Sequence, residues 1–80
     1  MAKVELTDFE HFELVEYFDY LDDLRESGRT NMWGAGAYLR AEQGLDRHEA
    51  EAVLSAWMDT FSDDASDERV DAALEKEAAS

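Results

Sequence analysis

One stretch of the chain, residues 43–61 (QGLDRHEAEAVLSAWMDTF), carries the signals that decide the fold. Gly44 is suited to ending a helix in the left-handed conformation, and Leu45 after it can plug the turn. Asp46 and Glu49 form the capping-box pattern that begins the next helix. At about 100° per residue, that helix gathers one apolar arc, which comprises Ala50, Val53, Leu54, Trp57, Met58 and Phe61. We therefore predict two helices joined by a tight turn.

The residues before Gly44 predict the other helix of this pair, over about residues 32–43, with Asn31 as its N-cap. Its inward face is expected to comprise Met32, Ala35, Gly36 and Leu39. Gly36 on that face would allow two backbones to approach closely. Trp33 points away from the face and has arginines nearby in the sequence. It is either an anchor of a binding interface or a cover for the open end of a small bundle.

The N-terminal segment predicts a further helix, with Thr7 or Asp8 as its cap and Gly28 as its left-handed stop. Helical periodicity divides it into an apolar half and an acidic half. The apolar half comprises Leu14, Tyr17, Phe18, Tyr20, Leu21 and Leu24. The acidic half comprises Glu16, Asp19, Asp22, Asp23 and Glu26.

Three apolar residues of the same segment, Phe9, Phe12 and Val15, fall on or beside the acidic half. Two arrangements would explain them. Either another element of the chain covers them, for example its C-terminal part, or they form an exposed apolar patch ringed by carboxylates.

The C-terminal segment, residues 62–80, is predicted to be a solvated acidic tail, flexible or weakly helical. Val70, Ala73 and Leu74 allow the alternative of a short fourth helix. The predicted architecture is therefore all-α. A three-helix bundle occupies residues 1–61, its second and third helices form a helix-turn-helix-like unit, and the acidic tail follows.

The formal net charge of −14 is concentrated at the two ends of the 80-residue chain. Residues 1–28 carry −7 and residues 62–80 carry −5, whereas the middle carries only −2. Such a polyanion repels nucleic acid and anionic membranes and attracts basic protein surfaces.

The chain has no cysteine, it contains no apolar run of the roughly 18 residues that cross a membrane, and it begins without a secretory-signal pattern. We therefore expect a cytoplasmic protein.

The candidate chemical groups do not assemble into a catalytic or metal site by their spacing. His11 and His48 have no third histidine or cysteine to complete a ligand set. Ser55 lies seven residues after His48, about 10 Å along a helix, which is too far for a nucleophile–base hydrogen bond. Adjacent carboxylates such as Asp22 and Asp23 point about 100° apart on a helix. We expect no enzymatic activity, no cofactor and no metal.

The helix-turn-helix-like unit raises the alternative of a DNA-binding regulator. In such a protein the outer face of the second helix enters the major groove and needs side chains that read base edges. Here that face carries His48, Glu51, Ser55 and Asp59. Carboxylates facing a polyanion oppose binding, so the charge disfavours nucleic acid as a partner although the shape permits it.

The chain also resembles small uncharacterised proteins encoded by bacteriophages and prophages. The resemblance rests on residues 24–35 (LRESGRTNMWGA), then Tyr38-Leu39, residues 44–50 (GLDRHEA), Leu54, and Trp57-Met58 through Phe61. It covers about half of the chain, and its most specific part is the ESGxTNM motif. A proline that often stands near Ala37 in the pattern is absent here. The resemblance implies a viral setting and the host cytoplasm but no particular activity.

The leading prediction is a non-enzymatic module, a monomer or a homodimer, that binds a host protein with a basic surface. The predicted partner-binding residues are Glu16, Asp19, Asp22, Asp23, Glu26, Phe9, Phe12 and Trp33. A sharper form of the hypothesis is DNA mimicry, in which carboxylates take the place of phosphates. The alternatives are the DNA-binding regulator and a minor structural or assembly protein of a virion.

Overall fold

The computed structural model describes residues 4–28 and 34–79, and throughout these ranges the regular structure is helical. A 3₁₀ turn, Leu6–Asp8, precedes the first of the four α-helices in these ranges. The helices are α1 (His11–Ser27), α2 (Ala35–Gln43), α3 (Arg47–Asp59) and α4 (Ser66–Ala79). The described residues contain no strand, and the predicted all-α class is confirmed.

Two glycines end helices as predicted, and the capping box of α3 is formed. Gly28 and Gly44 have φ angles of 68° and 72°, in the left-handed region that side chains disfavour. The Glu49 amide donates to the Asp46 carboxylate at 2.8 Å, and the Asp46 amide donates to the Glu49 carboxylate at 2.9 Å. These local signals fix the ends of α1 and α2 and the start of α3.

The start of α1 differs from the prediction of a cap at Thr7 or Asp8. Residues 6–8 form the separate 3₁₀ turn, and α1 begins after Glu10, which is its N-cap. The Glu10 amide donates to the Glu13 carboxylate at 2.9 Å, so the capping box is shifted along the chain. Leu6 explains the shift, because the turn places its side chain in the core with only 4% of its surface exposed.

Helix α2 begins at Ala35 with Gly34 as its N-cap. The predicted cap Asn31, together with Met32 and Trp33, lies outside the described residues. Ala35 and Leu39 are fully buried, as their inward positions predict. The expectation of a close backbone approach at Gly36 is wrong, because a β-carbon there would meet the nearest atom, on Leu54, at an ordinary 3.9 Å.

The apolar arc of α3 faces the core around Trp57, which is 2% exposed. Ala50 and Val53 are also buried, while Leu54 and Met58 are half-buried at its edges. The buried core comprises Leu6, Leu14, Tyr17, Phe18, Leu21, Leu24, Ala35, Leu39, Leu45, Ala50, Val53, Trp57, Val70 and Ala73. Phe61 was predicted to belong to this arc, but it lies beyond the end of α3 and is 47% exposed, with its ring against that of Trp57.

The C-terminal segment corrects the preferred expectation of a solvated tail, because Ser66–Ala79 forms the fourth helix. Helix α4 runs antiparallel to α1. Near its start the Ser66 hydroxyl donates to the Asp19 carboxylate, and further along Asp71 lies 2.9 Å from His11. The Asp19 carboxylate at the N-terminus of α4 also complements the helix dipole. The few apolar residues of this segment favour a tail, but the buried polar residues Ser66 and Arg69 also contribute to the packing of the helix.

Replacing Trp57 by alanine is expected to lower the free energy of unfolding by about 3–5 kcal/mol, because the change leaves a large cavity among α1, α3 and α4. Phe12→Ala is the matched control. Phe12 is 64% exposed, so its removal should change stability by about 0.5 kcal/mol or less. Urea denaturation followed by circular dichroism measures both, and near-normal stability of the Trp57 variant would contradict the packing described here.

Candidate functional site

A buried arginine on α4 joins three of the four helices. Arg69 is 2% exposed, and its Nη1 donates to Asp22 Oδ1 on α1 at 2.8 Å. The same Asp22 oxygen accepts the indole N–H of Trp57 on α3 at 3.0 Å. One carboxylate oxygen therefore receives a hydrogen bond from each of two other helices, and an unpaired charge in the interior is avoided.

The other donors of Arg69 point at the end of α3. Nε donates to the carbonyl of Thr60 at 3.2 Å, and Nη2 lies 3.4 Å from the carbonyl of Trp57. The last carbonyls of a helix lack partners within the helix and carry partial negative charge. No basic residue occupies the last turn of α3 itself, so Arg69 supplies the cation from α4.

Aromatic rings surround the guanidinium of Arg69. Its Cζ lies 5.5 Å from the ring centroid of Phe18, 5.2 Å from that of Trp57 and 5.4 Å from that of Phe61. These distances fall within the range of cation–π attraction. The rings replace water around the charge, which is why a nearly full burial of arginine is tolerated here.

Asp22 was predicted to bind a partner, and the structure gives it an internal role. Its side chain keeps 35% of its surface exposed, but it turns toward Arg69 and the Trp57 indole. The sequence carries no signal for this turn, because periodicity places Asp22 among the other acids of α1. Only the positions of α3 and α4 reveal it.

The other four acids of the predicted set remain on the surface of α1. Glu16, Asp19, Asp23 and Glu26 are all exposed, and Asp19 also accepts the Ser66 hydroxyl at the seam between α1 and α4. Across that seam α4 adds the exposed Asp67 and Asp71. We name this surface the acidic face; it comprises Glu16, Asp19, Asp23, Glu26, Asp67 and Asp71.

The three apolar residues beside the acidic half of α1 divide between the two predicted arrangements. Phe9 is half-buried, with its ring edge-on to Tyr17 at 5.8 Å between centroids. Val15 is half-buried and packs against the core. Phe12 is 64% exposed, one helical turn before Glu16. The structure thus covers two of them and leaves one large apolar side chain next to the acidic face, whereas Trp33 lies outside the described residues.

Several exposed basic residues make contacts with other parts of the bundle. Arg25 stacks over the ring of Phe61 at 4.6 Å. Arg47 lies 3.6 Å from Glu51 on its own helix, and Lys76 Nζ lies 3.4 Å from the carbonyl of Asp59 on α3. None of these three contacts involves a carboxylate of the acidic face.

The outer face of α3 is only partly open to solvent. Glu51, Ser55 and Asp59 are exposed, but Ala52 and Ala56 between them are half-buried. They line a groove of about 380 Å³, whose walls come from the 3₁₀ turn, α3 and α4. Helix α4 and the 3₁₀ turn therefore stand beside the surface that a DNA-reading helix would insert into the major groove.

The histidines and carboxylates of the described residues do not form a group of three or more that could hold a metal ion. His11 is engaged with Asp71 across the seam, at 2.9 Å with both side chains largely exposed. In the part of the chain that the structure describes, no helix has the length and apolar character needed to cross a membrane.

Comparison of the chain with known protein families, curated proteins and solved structures finds no match. The resemblance to phage-encoded proteins therefore stays a prediction from the motif.

Replacing Asp22 by alanine is expected to lower the free energy of unfolding by about 2–4 kcal/mol, because it leaves the buried guanidinium of Arg69 without its carboxylate. This loss is smaller than the removal of one member of a fully buried ion pair usually causes, because Asp22 is partly exposed. Asp23→Ala removes the same group from the next position, which is exposed, and should change stability by about 0.5 kcal/mol or less. Equal effects of the two substitutions in urea denaturation would show that Asp22 has no special role.

Tyr17 gives the stability a dependence on alkaline pH. Burial raises the pKa of its phenol above the ordinary value of 10.0, and the charges of Glu13, Glu49 and Glu16 raise it further. As the pH rises through about 10, the unfolded chain therefore releases this proton before the folded chain does, and folding loses stability. Between about pH 8 and pH 11, the wild type should lose more unfolding free energy than Tyr17→Phe. Parallel pH profiles of the two proteins would contradict this assignment.

Proposed function

We propose that this protein is a non-enzymatic interaction module whose acidic face binds a basic surface on another protein. The observation that carries the proposal is the segregation of charge. Four exposed acids of α1 and two of α4 lie along one seam, whereas Arg69 of α4 is buried among aromatic rings and Arg25 of α1 stacks over Phe61. A face of one sign raises the association rate of an oppositely charged partner and selects against partners of like charge.

The rigidity of the face supports binding rather than solubility alone. With α4 packed on the bundle, Asp19 accepts the Ser66 hydroxyl and Asp71 lies against His11, so carboxylates of two helices have defined relative positions. Preorganised charges lose less conformational entropy on binding than charges on a flexible tail do. Phe12 beside them adds an exposed apolar side chain that could enter a pocket of the partner.

DNA mimicry is the sharper form of the proposal. From the level of His11, where Asp71 lies, to Glu26 the face extends about 22 Å along α1. It places six carboxylates in that length, about one per 4 Å of helix axis, against one phosphate per about 3.4 Å of axis on each strand of DNA. The suggested partner is thus a protein that binds nucleic acid, such as a defence nuclease of a bacterial host. The motif resemblance to phage proteins supports a host partner and a location in the host cytoplasm.

The alternative of a helix-turn-helix regulator has less support. Glu51 and Asp59 on the outer face of α3 would confront phosphates, and α4 stands beside that face. No observation favours the further alternative of a virion structural or assembly protein over the interaction module. Both alternatives remain predictions from the sequence.

A pull-down from bacterial host lysate tests the proposal with two variants of equal net charge. The face variant combines Glu16→Gln, Asp23→Asn and Glu26→Gln, which spares the Asp19 and Asp22 contacts. The control combines Glu42→Gln, Glu51→Gln and Asp59→Asn, all exposed positions on α2 and α3. We expect wild type and control to retain a basic protein at low salt, and the face variant to retain at least about tenfold less of it, because attraction depends on the local field.

Two results would contradict the proposal. One is the absence of any retained basic or nucleic-acid-binding protein even at low salt, where charge attraction is strongest. The other is an equal loss in both variants, which would mean that net charge alone governs retention. If duplex DNA fails to elute the retained protein, the mimicry form is wrong while the interaction module stands.

A further inference from the structure

Helix α4 is attached to the bundle in a different way from α1 and α3. Its buried apolar side chains are Val70 and Ala73, Leu74 packs half-buried at the edge of the core, and its other buried residues are the polar Ser66 and Arg69. Helix α1, by contrast, buries five large apolar or aromatic residues, Leu14, Tyr17, Phe18, Leu21 and Leu24. The attachment of α4 therefore depends on polar contacts, above all on those of Arg69.

The remaining polar contacts of α4 are partly buried or exposed, and the hydrogen bond of Ser66 to Asp19 is one of them. His11 with Asp71 is an exposed pair, which stabilises little on its own. Lys76 reaches the Asp59 carbonyl only at 3.4 Å, and Glu77 accepts the Leu6 amide at 2.8 Å. The connection from α3 to α4, residues 61–65, is exposed throughout. Along the seam, the carboxylates of α1 and α4 also repel one another.

From these contacts we propose that α4 is a latch, which opens as a unit while α1 and α3 stay folded, and that Arg69 is the anchor that holds it closed. Segments with few buried apolar contacts and exposed connections are those that open below the global unfolding free energy. An open latch would carry Asp67 and Asp71 away from the acidic face. It would also release Asp22 from Arg69, so that Asp22 would be free together with Glu16, Asp19, Asp23 and Glu26.

The latch thus gives the acidic face two forms. Closed, the face contains carboxylates of two helices; open, it contains those of α1 alone, with Asp22 among them. This inference concerns the fold and stands whether or not the face binds the proposed partner, since the experiment below uses no partner.

Amide hydrogen exchange of the full-length protein, followed residue by residue by NMR, tests the latch. In the wild type, the hydrogen-bonded amides of α4 should exchange at least tenfold faster than the core amides of α1 and α3. The opening free energies of the α4 amides should be similar to one another, because the helix opens as a unit. Arg69→Lys keeps the charge but loses the planar fork and ring stacking. It should accelerate exchange in α4 by at least a further tenfold and change exchange in α1 and α3 less than threefold.

Lys76→Gln is the matched control, because Lys76 is the other basic residue of α4 and its side chain is exposed. It should leave the exchange rates of α4 within about threefold of the wild type. Equal protection of α4, α1 and α3 in the wild type would overturn the proposal, because α4 would then belong to a single cooperative unit. Equal acceleration of amide exchange in all helices by Arg69→Lys would overturn the role of Arg69 as the anchor. If that variant fails to fold, the comparison of α4 with α1 and α3 in the wild type tests the latch.

Discussion

The burial of one guanidinium is the constraint on which the closed arrangement of α1, α3 and α4 depends. Arg69 is removed from water almost completely, so each of its polar groups needs a partner inside the bundle. Asp22 must turn inward from an acidic helix, and α3 must present its last carbonyls toward α4. The orientation of Trp57 follows, since its indole N–H shares the Asp22 oxygen. A chain without cysteine thereby gains a directional tie between helices.

This tie specifies geometry more than it adds stability. A buried ion pair recovers little more than the desolvation of its charges, and apolar replacements of similar volume are often as stable. Removing one member alone is different, because the other charge is then stranded. Hydrogen bonds in fixed directions determine where α4 lies, whereas the contacts of Val70 and Ala73 alone would leave its placement weakly defined. The position of α4, in turn, determines which of its carboxylates belong to the acidic face.

The sequence predicts the parts of the fold that depend on neighbours along the chain. The left-handed stops at Gly28 and Gly44 and the capping box of Asp46 with Glu49 are local, and the structure contains all of them. The existence of α4 could not be predicted with the same success, because it depends on Arg69 meeting residues 47 positions away. A charged residue in an acidic segment is ordinarily solvated. Nothing in the local pattern marks this one as buried.

The candidate surface divides in the same way. Helical periodicity correctly predicted that Glu16, Asp23 and Glu26 are exposed, since exposure on a helix follows from its apolar stripe. The inward turn of Asp22, and the addition of Asp67 and Asp71 to the face, depend on how α4 packs across α1. The helical periodicity of a sequence does not predict such packing between helices that are distant in sequence. The binding role of the face remains a proposal drawn from its charge and rigidity.

The guanidinium of Arg69 can be observed directly by NMR, through the exchange of its Nε hydrogen with water. The account predicts that this hydrogen exchanges much more slowly than that of Arg47, which is exposed, and that it shows nuclear Overhauser effects to the rings of Trp57 and Phe18. Asp22→Asn should speed this exchange toward that of Arg47, because the loss of the Asp22 charge at Nη1 loosens the guanidinium whose Nε donates to the Thr60 carbonyl. An Arg69 hydrogen that exchanges as fast as that of Arg47 in the wild type, without contacts to either ring, would contradict the central claim that a buried cation organises this bundle.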